Sequence, residues 1–192
     1  MRKGLRQQGV TLIELMVTIA VLAVLVTLAA PSFAEFRERQ ALRGVADNIV
    51  AAVGLAKEEA VKRDSFVRVD FLPFGTDGVC VGAVMVADGE AAAGCDCASD
   101  ATACTVALFP ETANDLKQVQ LSSDSIAFGG GSGFVIDPKT ATLADIGDTG
   151  GLQLTTRHGY QVAVQINALA RPVVCTPDGA TKTLPGVSAC AD

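Results

Sequence analysis

A predominantly apolar run from Val10 to about Ala30, carrying one acid at Glu14, constrains this 192-residue chain more than any other feature. About twenty apolar residues are what a helix needs to cross a bilayer. A carboxylate set into such a segment costs several kcal/mol, roughly 2.5–3.5 at the helix centre, unless something pairs with it. The run follows a short leader, "MRKGLRQQG", whose charges are Arg2, Lys3 and Arg6. That leader has the basic character of a secretory n-region, but the apolar run is longer than an ordinary h-region, and h-regions avoid charge. "TLAAPSFA" offers a conventional cleavage site near Ala30 or Ala34, and this alternative leaves Glu14 unexplained.

The stretch "QQGVTLIELMVTIAVLAVLVTLAAPSF" resembles the class III signal sequence of the type IV pilin superfamily. The resemblance implies cleavage by a prepilin peptidase between Gly9 and Val10 and N-methylation of Val10. It also makes Glu14 the fifth mature residue and Pro31 the proline that kinks the helix. Val10 stands where the family most often has Phe. The resemblance further implies that Glu14 of one subunit neutralises the N-terminal amine of its neighbour, so that the charge penalty is relieved only in the correct stagger.

Beyond Pro31, Leu42, Val45, Ile49, Val53, Ala56 and Ala60 recur at three- or four-residue steps, an amphipathic stripe facing a core. Arg37, Glu38, Arg39, Asp47, Lys57 and Glu58 supply the polar positions, and Gly44 and Gly54 suggest close packing or bending. Lys62 and Arg63 suit a last helical turn, so the helix should end near residues 62–64. The pattern then switches to period two and turn punctuation: "SFVRVDF" alternates, "VCVGAVMV" reads as a buried strand, and "TVALF", "VQLS", "SIAFG", "GFVID", "GLQLTT" and "YQVAVQI" follow as short strands, with His158-Gly159 at a hairpin turn. The expected fold is α+β: a leader (1–9), a long helix (10–63, its transmembrane part about 10–33) and a β-rich head of antiparallel strands (64–192). This layout, with "INALARPVVC" near the end, resembles the GspH/FimT-type minor pilins and pseudopilins.

All six cysteines lie after residue 79. An even number behind an export-type N-terminus points to disulfides in an oxidising compartment. Metal is disfavoured, because "CDCASDATAC" lacks paired CxxC spacing and His158 is the only histidine. Cys175 and Cys190 bracket a Pro- and Gly-rich loop and form the best single pairing; closing such a loop stabilises by about 3 kcal/mol in the chain-entropy model. Cys80, Cys95, Cys97 and Cys104 should form two further bridges, with Cys95–Cys97 too close in sequence to be partners.

No constellation of nucleophile, base and orienting group marks an enzyme, and no cofactor is expected. "GGGSG" (129–133) has no Gly-Lys-Ser/Thr and reads as a flexible strand connection. Asp145 and Asp148 do not meet the calcium-loop pattern. The formal charge of −6 becomes −9 once the three leader cations are removed, which repels phosphate backbones. Some members of the resembled branch bind DNA through a C-terminal Gly-Arg-x-Arg motif. Here the aligned residues are Ala170-Arg171-Pro172-Val173, so only Arg171 survives as a candidate DNA contact, and a strand-edge surface residue is the favoured reading of it.

The leading expectation is a minor pilin that primes or caps a type IV pilus, held in the inner membrane by a single pass with its head in the periplasm or, in the filament, at the cell surface. Its implied partners are other minor pilins, the major pilin and the prepilin peptidase. The alternatives are a minor pseudopilin of a type II secretion system and, less favoured, a DNA-binding minor pilin for uptake.

Overall fold

Thr11 and Glu14 start the first element. In the computed structural model, which describes residues 10–75, 78–87, 94–110, 119–120, 126–129 and 131–191, helix α1 runs from Leu12 to Arg63. The Thr11 N–H and hydroxyl donate to Glu14 Oε2 at 2.9 and 3.0 Å, and the Glu14 N–H returns a bond to Thr11 Oγ1 at 3.3 Å. This reciprocal pair is a capping box, which satisfies backbone donors that a helix start otherwise leaves open. At the other end Asp64 adopts φ 47° and the Ser65 N–H bonds to the Ala60 carbonyl at 3.2 Å, a Schellman closure.

The chain divides into two compact units, the first ending at Arg37 and the second comprising Glu38–Asp192. In the first, apolar side chains are exposed all around the helix, Leu12 at 75%, Ile19 at 58% and Leu25 at 58%. A helix apolar on every side requires a covering medium or partner. Among the described residues no single helix is long and apolar enough to cross a membrane; Leu12–Leu28 and Ser32–Arg63 meet that test only together, as a broken pair.

In the second unit the stripe expected from spacing is the buried one: Leu42, Ile49, Val53, Ala56 and Ala60 are fully buried and Val45 nearly so. Gly44 and Gly54 correct the expectation of close packing, since a methyl group added at either would meet nothing within 4 Å. The helix stripe joins one core with two sheets. The first sheet has the order β3-β2-β1-β6, all neighbours antiparallel, from β1 (Phe66–Phe74), β2 (Gly78–Val86), β3 (Ala107–Phe109) and β6 (Gly133–Ile136). The second is built on the hairpin β7 (Gly150–Thr156) and β8 (Tyr160–Ile166), which turns at Gly159 with φ 82°. Strands β4 (Val119–Gln120) and β5 (Ile126–Phe128) pair with β7, while β9 (Pro172–Cys175) and β10 (Lys182–Thr183) pair with β8. Strand β10 runs parallel to β8, an exception to the antiparallel pattern, and neither β9 nor β10 was anticipated from period-two alternation.

Strand β2 is buried on both faces for a reason outside itself. Val79, Val81 and Ala83 face the main core. Cys80 and its neighbours Leu72, Val84 and Leu108 on the other face form a second cluster with Cys95, Cys97 and Cys104. The "GGGSG" stretch is tighter than a flexible connection: Gly133 opens β6, and a Cβ there would strike the Val69 carbonyl. A Cβ on Gly129 would strike the Gly147 carbonyl; Gly130 lies outside the described residues.

Candidate assembly determinants on the helix and the head

Gly9 lies outside the described residues, so the expected processing site is represented by Val10 alone, which is 75% exposed. Glu14 sits four residues on with its carboxylate engaged by Thr11. The acid at this position therefore has a local task, N-terminal capping, in addition to any role between subunits. Thr11-x-x-Glu14 before an apolar run is a recognisable capping signature that the sequence reading passed over.

Several polar positions on α1 are anchors for the head and do not simply face solvent. Glu38 is 7% exposed; its Oε1 lies 2.8 Å from His158 Nδ1, and its Oε2 accepts from the His158 N–H at 3.3 Å. His158 is thus tied to the start of the helix's buried stripe, pinning the β7–β8 turn. Next to it, the Arg39 guanidinium stands over the Tyr160 ring at 5.6 Å and the Lys182 ammonium at 5.1 Å. Lys57 Nζ donates to the Leu169 carbonyl at 2.8 Å, and Arg43 donates to the Pro185 carbonyl. These four bonds join helix positions to loops more than a hundred residues later, a relation invisible to local pattern.

The cysteines form three disulfides, Cys80–Cys97, Cys95–Cys104 and Cys175–Cys190, with Cα separations of 6.0, 5.2 and 4.8 Å. The first two fasten residues 94–104 over the outer face of β2. Between them Asp96 accepts from the Ala98 and Ser99 N–H groups, both at 3.0 Å, and from the Ser99 hydroxyl at 2.6 Å. The Ser99 hydroxyl and N–H hold this exposed carboxyl below its ordinary value. Among the described residues no group of three or more His, Cys, Asp or Glu side chains is arranged to hold a metal. Asp145 caps a short 3₁₀ turn by accepting from the Gly147 N–H at 2.8 Å.

Arg171 is exposed and immediately precedes edge strand β9. Its loop is tightly built: Asn167 Oδ1 accepts from the Leu169 and Arg171 N–H groups at 3.1 and 3.0 Å. Ala170, 1% exposed, holds φ 52°, a left-handed conformation that glycine adopts without strain. The loop therefore fits the glycine of the Gly-Arg-x-Arg pattern although Ala occupies it.

Two family descriptions match the sequence. The prokaryotic N-terminal methylation motif matches residues 4–30, and type II transport protein GspH matches residues 45–170. No curated protein and no solved structure matches the chain.

Proposed function

Because the chain belongs to the GspH family of type II transport proteins within the type IV pilin superfamily, and carries the N-terminal methylation motif, we propose that it is a minor pilin that helps prime or cap a type IV pilus. Pilins and pseudopilins are structural, non-enzymatic proteins that interact with other pilin-like subunits and are processed by prepilin peptidase. On this reading the peptidase cuts between Gly9 and Val10, Val10 is methylated, and the apolar helix anchors the chain in the inner membrane. Other minor pilins and the major pilin are its partners.

One observation carries the reading: the apolar run that opens α1 is exposed all round, and its one acid, Glu14, is already satisfied by Thr11 at the helix N-terminus. Cleavage after Gly9 would create an amine one residue before Thr11. Glu14 can then exchange its Thr11 bonds for the amine of an adjacent subunit, so the capping box keeps the acid tolerable before assembly and the ion pair sets the stagger during it. Charge and hydrogen bonding separate in Glu14→Gln, because Gln also completes a capping box. Glu14→Gln should leave the head's stability unchanged and lower incorporation into filaments or minor-pilin complexes. Normal incorporation would remove the charge-register account, and an intact mass showing a mature terminus near Pro31 or Glu35 would remove the anchor itself.

A pseudopilin of a type II secretion system is the second reading, favoured by the description of the matching family. The three disulfides suit a head in the oxidising periplasm or at the cell surface and so accord with both machines. Deleting the gene and measuring surface piliation beside secretion of exported enzymes separates the two machines.

A further inference from the structure

The outer face of the β7–β8 sheet carries a groove of ≈ 1090 Å³. Its floor follows from register: Ala127, Gly151, Gln165 and Val173 lie side by side across β5, β7, β8 and β9. Gly151 keeps that floor low, since a Cβ there would sit 2.6 Å from the Val164 carbonyl. One wall is the C-terminal segment around Ser188–Ala191, fixed by the Cys175–Cys190 disulfide, by the Thr176 N–H on the Ser188 carbonyl at 2.7 Å and by the Cys190 N–H on the Thr176 carbonyl at 3.0 Å. At one end Asn167 and Ala168 line the groove, and the Arg171 backbone is hydrogen-bonded to Asn167.

We propose that this groove receives an extended segment of a different polypeptide subunit, with a carboxylate of that segment meeting Arg171. Among the described residues no charged side chain lines the groove, and the amides of Gln153 and Gln165 offer both donors and acceptors to a peptide backbone. At the same end Leu169 and Val173 are 53% and 47% exposed, apolar contacts of the kind a protein partner covers. The loop that displays Leu169 and Arg171 is rigid in construction, with the Leu169 carbonyl held by Lys57 and the Ala168 carbonyl by the Leu143 N–H at 3.1 Å. Rigid display lowers the ordering cost of binding. Charge decides against nucleic acid as the occupant. A polyanion needs several cations, and the Lys57 ammonium beside this loop is turned inward onto a carbonyl. The exposed Arg171 guanidinium matches one carboxylate.

The test places a photo-reactive amino acid at Gln165 of the full chain in its native membrane. Irradiation should join it to one polypeptide other than this chain, through a segment containing Asp or Glu. Arg171→Glu should lower the yield about tenfold, while Arg157→Glu, at the opposite end of the β7–β8 hairpin, leaves it unchanged. Gln153→Trp, which fills the groove from an exposed position, should also abolish the product with the thermal midpoint preserved. Equal losses from the Arg171 and Arg157 variants, no product, or products only with DNA, lipid or a second copy of the chain would overturn the proposal.

Discussion

Glu38 and His158, 120 residues apart in sequence, meet with Oε1 2.8 Å from Nδ1 and a second bond from the His158 backbone. The carboxylate is nearly buried while the imidazole is about half exposed, so the helix side of the pair carries the desolvation. Glu38→Ala leaves the His158 N–H without its acceptor and should cost about 1–3 kcal/mol. Tyr160, the only tyrosine in a chain without tryptophan, follows the same turn. Chemical denaturation monitored by tyrosine fluorescence should show the lower midpoint, and an unchanged midpoint would mean that the pair adds nothing to the head.

Two glycines predict opposite outcomes for the same substitution. A Cβ on Gly82 would lie 2.5 and 2.6 Å from the sulfurs of Cys104 and Cys95, so Gly82→Ala should destabilise by about 1–3 kcal/mol. Gly54, exposed on α1 with nothing within 4 Å, should gain about 1 kcal/mol as Ala through helix propensity. Thermal unfolding of the two variants beside the parent checks both signs at once.

Asp64 occupies the left-handed position that closes α1, at φ 47°. Asp64→Gly removes the Cβ strain and an acid from the negative end of the helix dipole, at the expense of greater freedom in the unfolded chain. The net expectation is a gain of about 0.5–1 kcal/mol. A loss in denaturant titration would mean that the Asp64 side chain stabilises the turn by more than its strain.

Asp96 makes a pH-dependent contribution to the disulfide-fastened loop. Its folded pKa is lowered, chiefly by the Ser99 hydroxyl and N–H, so it stabilises fully above the ordinary carboxylate range. That contribution disappears as pH falls through the lowered folded value. Asp96→Asn should therefore melt below the parent at neutral pH, and the difference should shrink once the solution is more acidic than an ordinary Asp pKa. A difference that persists unchanged into strong acid would place the effect outside ionisation.

The sequence by itself determined what depends on near neighbours. The three- and four-residue spacing from Leu42 to Ala60 identifies the buried helix face, because side chains one turn apart share a side. Alternation identifies most strands and the turn at His158-Gly159, and the apolar run with its lone acid points to the filament-forming superfamily. Tertiary structure decided what depends on residues brought together from afar. The continuous apolar run of "VCVGAVMV" reads as a buried strand, but only tertiary structure shows that the loop fastened by Cys80–Cys97 and Cys95–Cys104 covers its second face. Glu38 looks like any solvated helix acid until His158 arrives to satisfy it. Gly54 and Gly82 are the same residue in the sequence; one faces open space and the other two sulfur atoms, because what surrounds a backbone position is set by long-range packing.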